Sequence, residues 1–494
     1  MMQGKAEKGG LRYAIVGAGM AGIMATIKLE QKGETNITLL EKAASIGGTW
    51  RDNCYPGLTC DTPSHSYTYS FAPYAEWEAN FASGAQIRVY FEKVAADFGV
   101  SKHLRLNSEV TSCQFDDAKS VWRLELNGQE QIEADVVIAA SGVLHHPNIP
   151  RFPRIESFKG KVFHSARWDS SAVVDGTRVG VIGSGSTGVQ IVSALADRSA
   201  KVVHFQRSPQ WIMPGFYFEY SEADRELLRK DPARIDAIRN EPEYWKLIRQ
   251  FTTALTQLEG PEIAYFEELC LRNLEENVLD PILREKLRPN YRAACKRLVI
   301  SWEYYDKVQR PTVHVDTGKI TVIEPEGVRM QDGTLHELDV LVLATGFQAH
   351  SFIRPAKVTG RDGYSLEEFW KDRASAYYAI TLPGFPNFFM LNGPTGPVGN
   401  FSLIDIAEME WGYIDQLLDV LRQGKARTVE PTAEAHADYE ARRIAAARTT
   451  IFASGCSSWY LDSAGLPSTW HWSYDAFGEA MKSPQFEKFS FGDA

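Results

Sequence analysis

Two glycine-rich hexapeptides are the residues of this chain most clearly shaped for chemistry, and that chemistry is the holding of a pyrophosphate. The first is Gly17-Ala18-Gly19-Met20-Ala21-Gly22 and the second is Gly183-Ser184-Gly185-Ser186-Thr187-Gly188. In such a turn the first glycine permits the tight reversal and the second lets the backbone approach the diphosphate. The third lets the following helix pack closely on the strand. The helix N-terminus then meets the negative charge. Each turn is expected to bind one dinucleotide, with Ser186, Thr187 and Gln190 contributing to the second.

The two units end differently. The strand after the first turn, Ile37–Leu40, ends on Glu41, whose carboxylate can accept hydrogen bonds from a ribose diol. A glycine turn near the N-terminus with such an acid is the pattern of FAD enzymes. The strand after the second turn, Lys201–Phe205, leads into Gln206, Arg207 and Ser208. An acid there would repel a 2′-phosphate, whereas a guanidinium binds it bidentately. Such a charge-assisted contact is worth about 1.5–3 kcal/mol, so the expected cofactors are FAD and NADPH.

Sequence periodicity supplies the elements that must hold these turns. Arg12–Val16 and Arg178–Ile182 read as short buried strands. After them, Met20, Ile23, Met24 and Ile27, and then Gly188, Ile191, Val192 and Leu195, recur at helical spacing. Val136–Gly142 and Val340–Gly346 form a second matched pair, each an apolar strand ending in a small-residue turn where the chain would cross between domains. From Phe218 to Pro289 the sequence is charged and helical, with Leu247, Phe251, Ala254, Leu255 and Leu258 marking one amphipathic helix.

A chain of 494 residues exceeds what one core usually supports. The fold class expected is α/β: two Rossmann-like dinucleotide-binding domains, for FAD and NADP, with a helical insertion in the NADP domain. The FAD domain takes residues 1–145 and resumes at 346–494 with the C-terminal segment. An interdomain linker spans 146–176, the NADP domain comprises 177–213 and 291–345, and the insertion runs over 214–290.

Composition narrows the class. Apolar residues at 44% and charged residues at 23% belong to an ordered globular chain. A net charge of −10 argues against nucleic acid as a partner. The polar stretch from Met1 to Gly10 has no apolar core of signal-peptide length, and no uninterrupted apolar run elsewhere spans a bilayer, so a cytoplasmic chain without membrane contact is expected. Cys54, Cys60, Cys113, Cys270, Cys295 and Cys456 are scattered without metal-type spacing. They read as buried or idle thiols, and no metal is expected. The sequence sets no oligomeric state.

Two longer motifs add specificity. One follows the first dinucleotide unit, as Gly48-x-Trp50-x-x-x-x-Tyr55-Pro56-Gly57-x-x-x-Asp61. The other precedes the second glycine turn, as Phe158-x-Gly160-x-x-x-His164-x-x-x-Trp168-Asp169. Both are similar to the fingerprints of the type I Baeyer–Villiger monooxygenases, a branch of the class B flavoprotein monooxygenases. The resemblance runs in order from Val16 to about Trp472. Amine- and sulfide-oxidising relatives have a similar linker but normally lack its tryptophan. Pro63 to Phe71 fits the family loosely, and Asp169 stands where proline is also common.

The resemblance implies a cycle in which NADPH reduces the flavin and O2 adds to give a flavin C4a-peroxide. This peroxide attacks a ketone, and the adduct rearranges to an ester or lactone. It implies that Arg297, in Cys295-Lys296-Arg297-Leu298, stabilises the peroxide and the adduct, that Asp61 orients Arg297, and that Lys296 assists Arg207 at the 2′-phosphate. Read alone, Lys296-Arg297 is two charges on a solvated surface. His164 is expected to be a hinge rather than a base, Gly48 and Trp50 to contribute to the cofactor site, and Phe158, Gly160 and Trp168 to belong to the linker. Ser457 to Tyr460 and Trp470 to Trp472 resemble the family's late aromatic segment, which closes over NADP⁺.

Other functions share part of this pattern. A heteroatom-oxidising monooxygenase has the same cofactor motifs, and Trp168, Asp61 and Arg297 carry the distinction. A disulfide reductase would use Cys54 and Cys60, but their spacing and the Tyr-Pro-Gly between them differ from a redox pair. A non-catalytic flavoprotein sensor releasing H2O2 would need neither Arg297 nor Asp61.

Overall fold

Five parallel strands build the first sheet, in the order Phe388–Met390, Val136–Ala139, Tyr13–Val16, Ile37–Leu40 and Leu104–Arg105. Five more build the second, in the order Val313–Asp316, Lys201–Phe205, Arg178–Ile182, Val340–Leu343 and Lys161–His164. The central strands are continuous apolar runs because both faces of a parallel sheet are covered. Val136, Val137 and Ile138, like Leu341 and Val342, have no exposed surface. In the computed structural model, residues 10–397, 401–456, 458, 460–462 and 464–493 are described.

The two sheets repeat one device in detail. Tyr13–Val16 lies beside Val136–Ala139, and Arg178–Ile182 lies beside Val340–Leu343. At the base of the first pair, Arg12 donates to both Asp135 carboxylate oxygens, at 3.1 and 2.9 Å, and to Glu133 at 3.0 Å. At the base of the second, Arg178 does the same to Asp339, at 3.1 and 2.8 Å, and to Glu337 at 2.6 Å. At the top, a Cβ on Gly17 would fall 2.7 Å from the Ala140 carbonyl oxygen, and one on Gly183 would fall 2.1 Å from that of Ala344. The matched small-residue turns and the glycines therefore require each other.

Helices Met20–Gln31 and Ser186–Leu195 follow the turns. The segment between the two halves of the second sheet carries Glu222–Lys230, Ala233–Arg239, Pro242–Leu255, Pro261–Asn277 and Pro281–Leu287. Proline opens three of these at the position where a missing N–H costs nothing. The amphipathic helix ends at Leu255 rather than reaching Leu258, which is 38% exposed. Gly260-Pro261 starts the next helix and leaves no room for another turn. The first strand likewise starts at Tyr13, because the Arg12 backbone is committed to Asp135 at 2.8 Å. No described helix is long and apolar enough to cross a membrane.

The cysteines depart from expectation. Cys54, Cys60, Cys113 and Cys270 are free, but Cys295 is joined to Cys456, 161 residues later, with Cα atoms 6.3 Å apart. Nothing local in sequence announces a pairing made by tertiary packing.

A short loop seats the first half of the chain on the helix after the second glycine turn. Gly57 has φ +79°, and a Cβ there would meet the Gln190 carbonyl oxygen at 2.6 Å and Ala194 Cβ at 2.9 Å. Gly57→Ala is therefore expected to destabilise the protein by about 1–3 kcal/mol. Thermal unfolding with bound cofactors checks this, and an unchanged Tm would show that the seam tolerates separation.

Candidate active site

Between the two sheets runs a cavity of about 1180 Å³, and both glycine turns open onto it. Gly17, Gly19, Gly183, Gly185, Ser186 and Thr187 line it. Gly22 and Gly188 are not among its lining residues. A Cβ on either would stand 1.8 or 2.0 Å from the carbonyl oxygen of Gly17 or Gly183, so they seat the helix. Both helices begin on a glycine with no side-chain cap. Their first N–H groups are thus left for an anion. Gly19 and Gly48 form the floor of the first half, a Cβ on Gly48 lying 3.1 Å from Gly19 Cα. Only backbone is present where a diphosphate must pass, so the site fits the group.

Glu41 is buried and fixed. It accepts from the Ala18 N–H at 3.0 Å, from the Ala43 N–H at 2.9 Å and from Arg51 at 3.0 Å. Its carboxylate stands at the end of its strand, facing the turn, where a ribose reaches it. The Trp50 indole lines the cavity and donates to Tyr67 at 3.1 Å.

At the second half, Arg207, Ser208 and Lys296 converge on the cavity. The Lys296 ammonium donates to Ser208 at 3.3 Å and sits 4.1 Å over the Tyr291 ring. Burial, and then the nearby Arg207 charge, push the lysine below its ordinary range. Among the described residues no carboxylate pairs with either cation. Two cations held together with no acid between them form a site for an anion.

Gln190 lines the cavity but its amide is spent on the seam. It donates to the Thr59 carbonyl at 3.0 Å and to the Thr59 hydroxyl at 3.1 Å, and it accepts from Tyr55 at 3.0 Å. The Tyr55 hydroxyl is also 3.2 Å from that of Thr187.

Arg297 and Asp61, 236 residues apart, meet in the wall of the cavity. Nε donates to Oδ2 at 3.0 Å, and Nη2 donates to Oδ1 and Oδ2 at 2.7 and 2.6 Å. Burial works against the guanidinium charge, but Asp61 and Tyr460 together outweigh it, so Arg297 is held above its ordinary value. The pair is not the solvated surface couple that sequence alone describes. Tyr460, fully buried beside Arg297, is the functional neighbour whose role the sequence did not signal.

The linker residues lie away from the cavity lining. Phe158 is buried in the core of the second sheet, a Cβ on Gly160 would strike the Asp339 carbonyl oxygen at 2.2 Å, and Trp168 packs edge-on against Phe163. His164 Nδ1 accepts from the Ala166 N–H at 3.1 Å, leaving Nε2 to donate to the Gly346 carbonyl at 3.0 Å. Both ring nitrogens are committed to backbone. Among the described cavity residues the histidine is His145, which burial and His146 lower to about 4. Trp470 and Trp472 pack with Tyr378, Tyr439 and Phe477 in the first core rather than over the nucleotide half. Of the other late aromatic segment, Ser457 and Trp459 lie outside the described residues, and Ser458 lines the cavity.

One group of His and Asp side chains, His314, Asp316 and His336, has ligand atoms within 4.8 Å of one another. Asp316 is already engaged, accepting from His336 at 2.7 Å and from the Gly318 N–H at 2.8 Å.

Two dinucleotide folds that share a cavity lined by a clamped arginine define a protein built to bring two dinucleotides together. The family of flavin-binding monooxygenase-like proteins matches residues 10–221. An uncharacterized monooxygenase of Mycobacterium bovis is 42% identical, over 92% of this chain and 91% of its own length. A Baeyer–Villiger monooxygenase of Streptomyces coelicolor is 38% identical, over 93% of this chain and 88% of its own. The crystal structure of cyclohexanone monooxygenase from Rhodococcus sp. Phi1 bound to NADP⁺ superposes with a TM-score of 0.87 at 27% identity, covering 98% of this chain and 99% of that one. The chain belongs to the flavin-binding monooxygenase family and, within it, to the type I Baeyer–Villiger monooxygenases.

Asp61→Ala leaves the Arg297 charge half-buried without its partner. A loss of about 1.5–3 kcal/mol is expected, toward the lower end because water still reaches the pair. Chemical denaturation measures it, and an unchanged midpoint at constant slope would show the pair adds nothing to stability.

Proposed function

We propose that this protein uses NADPH and O2 to insert one oxygen atom beside a ketone carbonyl, yielding an ester or lactone. The observation that carries the reading is the Arg297–Asp61 clamp, which fixes a cation in the wall of a cavity shared by the two cofactor halves. FAD, once reduced by NADPH, supplies the activation of dioxygen. The chain's own part is electrostatic and steric.

Arg297 faces the negative charge that develops on oxygen as the ketone carbonyl is attacked. A preformed, partly buried cation stabilises that charge without reorganising. Asp61 acts as a positioning residue: contacts from Nε and Nη2 to its two carboxylate oxygens fix the plane of the guanidinium. The insertion needs no proton from an imidazole. His145 is neutral over the working range, and His164 ties the two crossovers between the sheets as a hinge. Arg207 and Lys296 receive the NADPH 2′-phosphate, and Ser208 holds the lysine between them.

Incubation with a mixed panel of ketones and sulfides under ¹⁸O2 tests the reaction. Esters or lactones carrying one labelled oxygen support it, whereas sulfoxides alone place the enzyme with the heteroatom oxidisers. Arg297→Ala is expected to keep reduction of the flavin by NADPH and to lower ester formation by about 10²–10³-fold. Retained ester formation removes Arg297 from the mechanism.

The nucleotide assignment has its own signature. Arg207→Ala should erode the preference for NADP⁺ over NAD⁺ by about ten- to hundredfold. Lys296 must carry its proton to bind a phosphate, and in the free protein its pKa is depressed. Affinity for NADP⁺ is therefore full below that pKa and declines above it, starting below the ordinary lysine value of about 10.4. Lys296→Arg should flatten this alkaline decline. Calorimetric titration across pH checks it, and a decline shared equally by NAD⁺ would dismiss the lysine.

A further inference from the structure

The Cys295–Cys456 bridge lies at the edge of this machinery. Cys295 is fully buried and immediately precedes Lys296 and Arg297. Cys456 is half-buried and stands four residues before Tyr460, the residue that adds to the hold on Arg297. Their Cα separation of 6.3 Å falls inside the range over which cysteines bridge without moving the backbone. Ser454 donates to Cys295 Sγ at 3.2 Å, and Ile451, Phe452 and Tyr460 pack in one apolar cluster with Ala293, Ala294 and Leu298. The two segments are thus docked by burial, and the sulfurs are brought together whether or not they are bonded. The four remaining thiols are free: Cys54 is exposed, and Cys60, Cys113 and Cys270 are buried, which pushes each of these three up to about 12.

We propose that Cys295 and Cys456 are a reversible redox pair, oxidised by hydrogen peroxide, whose bridge holds Lys296 in place for the nucleotide 2′-phosphate. A flavin enzyme that consumes O2 without delivering oxygen to a substrate releases peroxide, so the source of the oxidant rests on the oxygenase reading above, and the role of Lys296 rests on the nucleotide assignment made there. The Cys456 thiolate attacks one peroxide oxygen, the O–O bond breaks, and hydroxide leaves a sulfenic acid. The Cys295 thiol attacks that sulfur, the S–O bond breaks and the S–S bond forms. The two thiol protons and the two departing hydroxides become two waters. The sulfurs together lose two electrons and the peroxide gains them. A dithiol reverses the change. Lys296 is one bond along the backbone from the bridge, so its position at Ser208 and Arg207 depends on the bridge more directly than any other contact in the cavity.

The purified holoenzyme, treated with dithiothreitol or then with one equivalent of peroxide, tests this without any ketone. Thiols counted after denaturation should fall from all six cysteines to four, and peptide mapping should find Cys295 joined to Cys456. Cys456→Ser, with Cys456→Ala as a second variant, should show the same count in both states. Calorimetry should find NADP⁺ bound several-fold more tightly by the bridged wild type, with NAD⁺ unchanged and neither variant responding. Six thiols after peroxide, or another pairing, overturns the redox pair. NADP⁺ and NAD⁺ shifting together overturns the link to Lys296. Lys296→Ala separates this from the nucleotide reading: if that variant prefers NADP⁺ as strongly as the wild type, Lys296 has no part in the 2′-phosphate site, while the thiol count still decides the bridge.

Discussion

Arg297 and Asp61 face each other across the seam between the two halves of the molecule, and their meeting sets the terms for everything around them. A guanidinium taken partly out of water is tolerable only when a carboxylate engages it in good geometry. Three contacts at 2.6–3.0 Å satisfy that condition. The geometry exists only if the loop carrying Asp61 and the segment carrying Arg297 are held to within tenths of an ångström. That is the task of the neighbouring seam, where Gly57 lets backbone touch backbone and Gln190 spends its whole amide on Thr59 and Tyr55. Polar side chains facing a cofactor cavity thus serve the alignment of the two domains.

The same logic of close approach runs through both sheets. Each glycine turn is glycine because the carbonyl of a second small-residue turn lies beneath it, and each third glycine lies on the carbonyl of the first. The duplication extends to the base of the strands, where an arginine clamps an acid that opens the adjacent strand. A strand pinned at its lower end and pressed at its upper end has little freedom to slide. The pyrophosphate floor is therefore set by covalent geometry and one ion pair per sheet. His164 joins the two chain crossings by donating to the Gly346 carbonyl.

Much of this was readable from the residues. The parallel sheets followed from apolar runs and glycine turns, because a period of buried residues and a positive-φ turn are local properties. The strands Ile37–Leu40, Arg178–Ile182 and Lys201–Phe205 fall at the predicted bounds. What escaped were pairings between distant segments. The Arg12–Asp135 and Arg178–Asp339 clamps stand in the sequence as ordinary charges, and their likeness emerges only when the two sheets are compared. Cys295 and Cys456 have no spacing to give them away. Arg297 beside Asp61 came from the resemblance to a family and not from the residues themselves, since a Lys-Arg dipeptide is usually solvent-facing. Trp470 and Trp472 were misplaced because aromatic residues suit a core and a cavity wall equally well.

Electrostatics gives the cavity its direction. In one half Glu41, satisfied by two N–H groups and Arg51, presents a neutralised acid to which hydroxyl groups can donate. In the other half burial, and after it the neighbouring Arg207 charge, lower the Lys296 pKa. An anion placed between these cations removes the repulsion, so the nucleotide half is completed by its ligand where the flavin half is complete beforehand. Arg297 stands between the two, already paired and needing no ligand to hold its charge. A site arranged in this way keeps this cation in place through binding and departure of the nucleotide, since Asp61 and not the cofactor sets its position. On the reaction proposed above, the charge that would meet developing negative charge on oxygen is then present from the outset, and the energy of ordering it is spent in folding and not in the reaction.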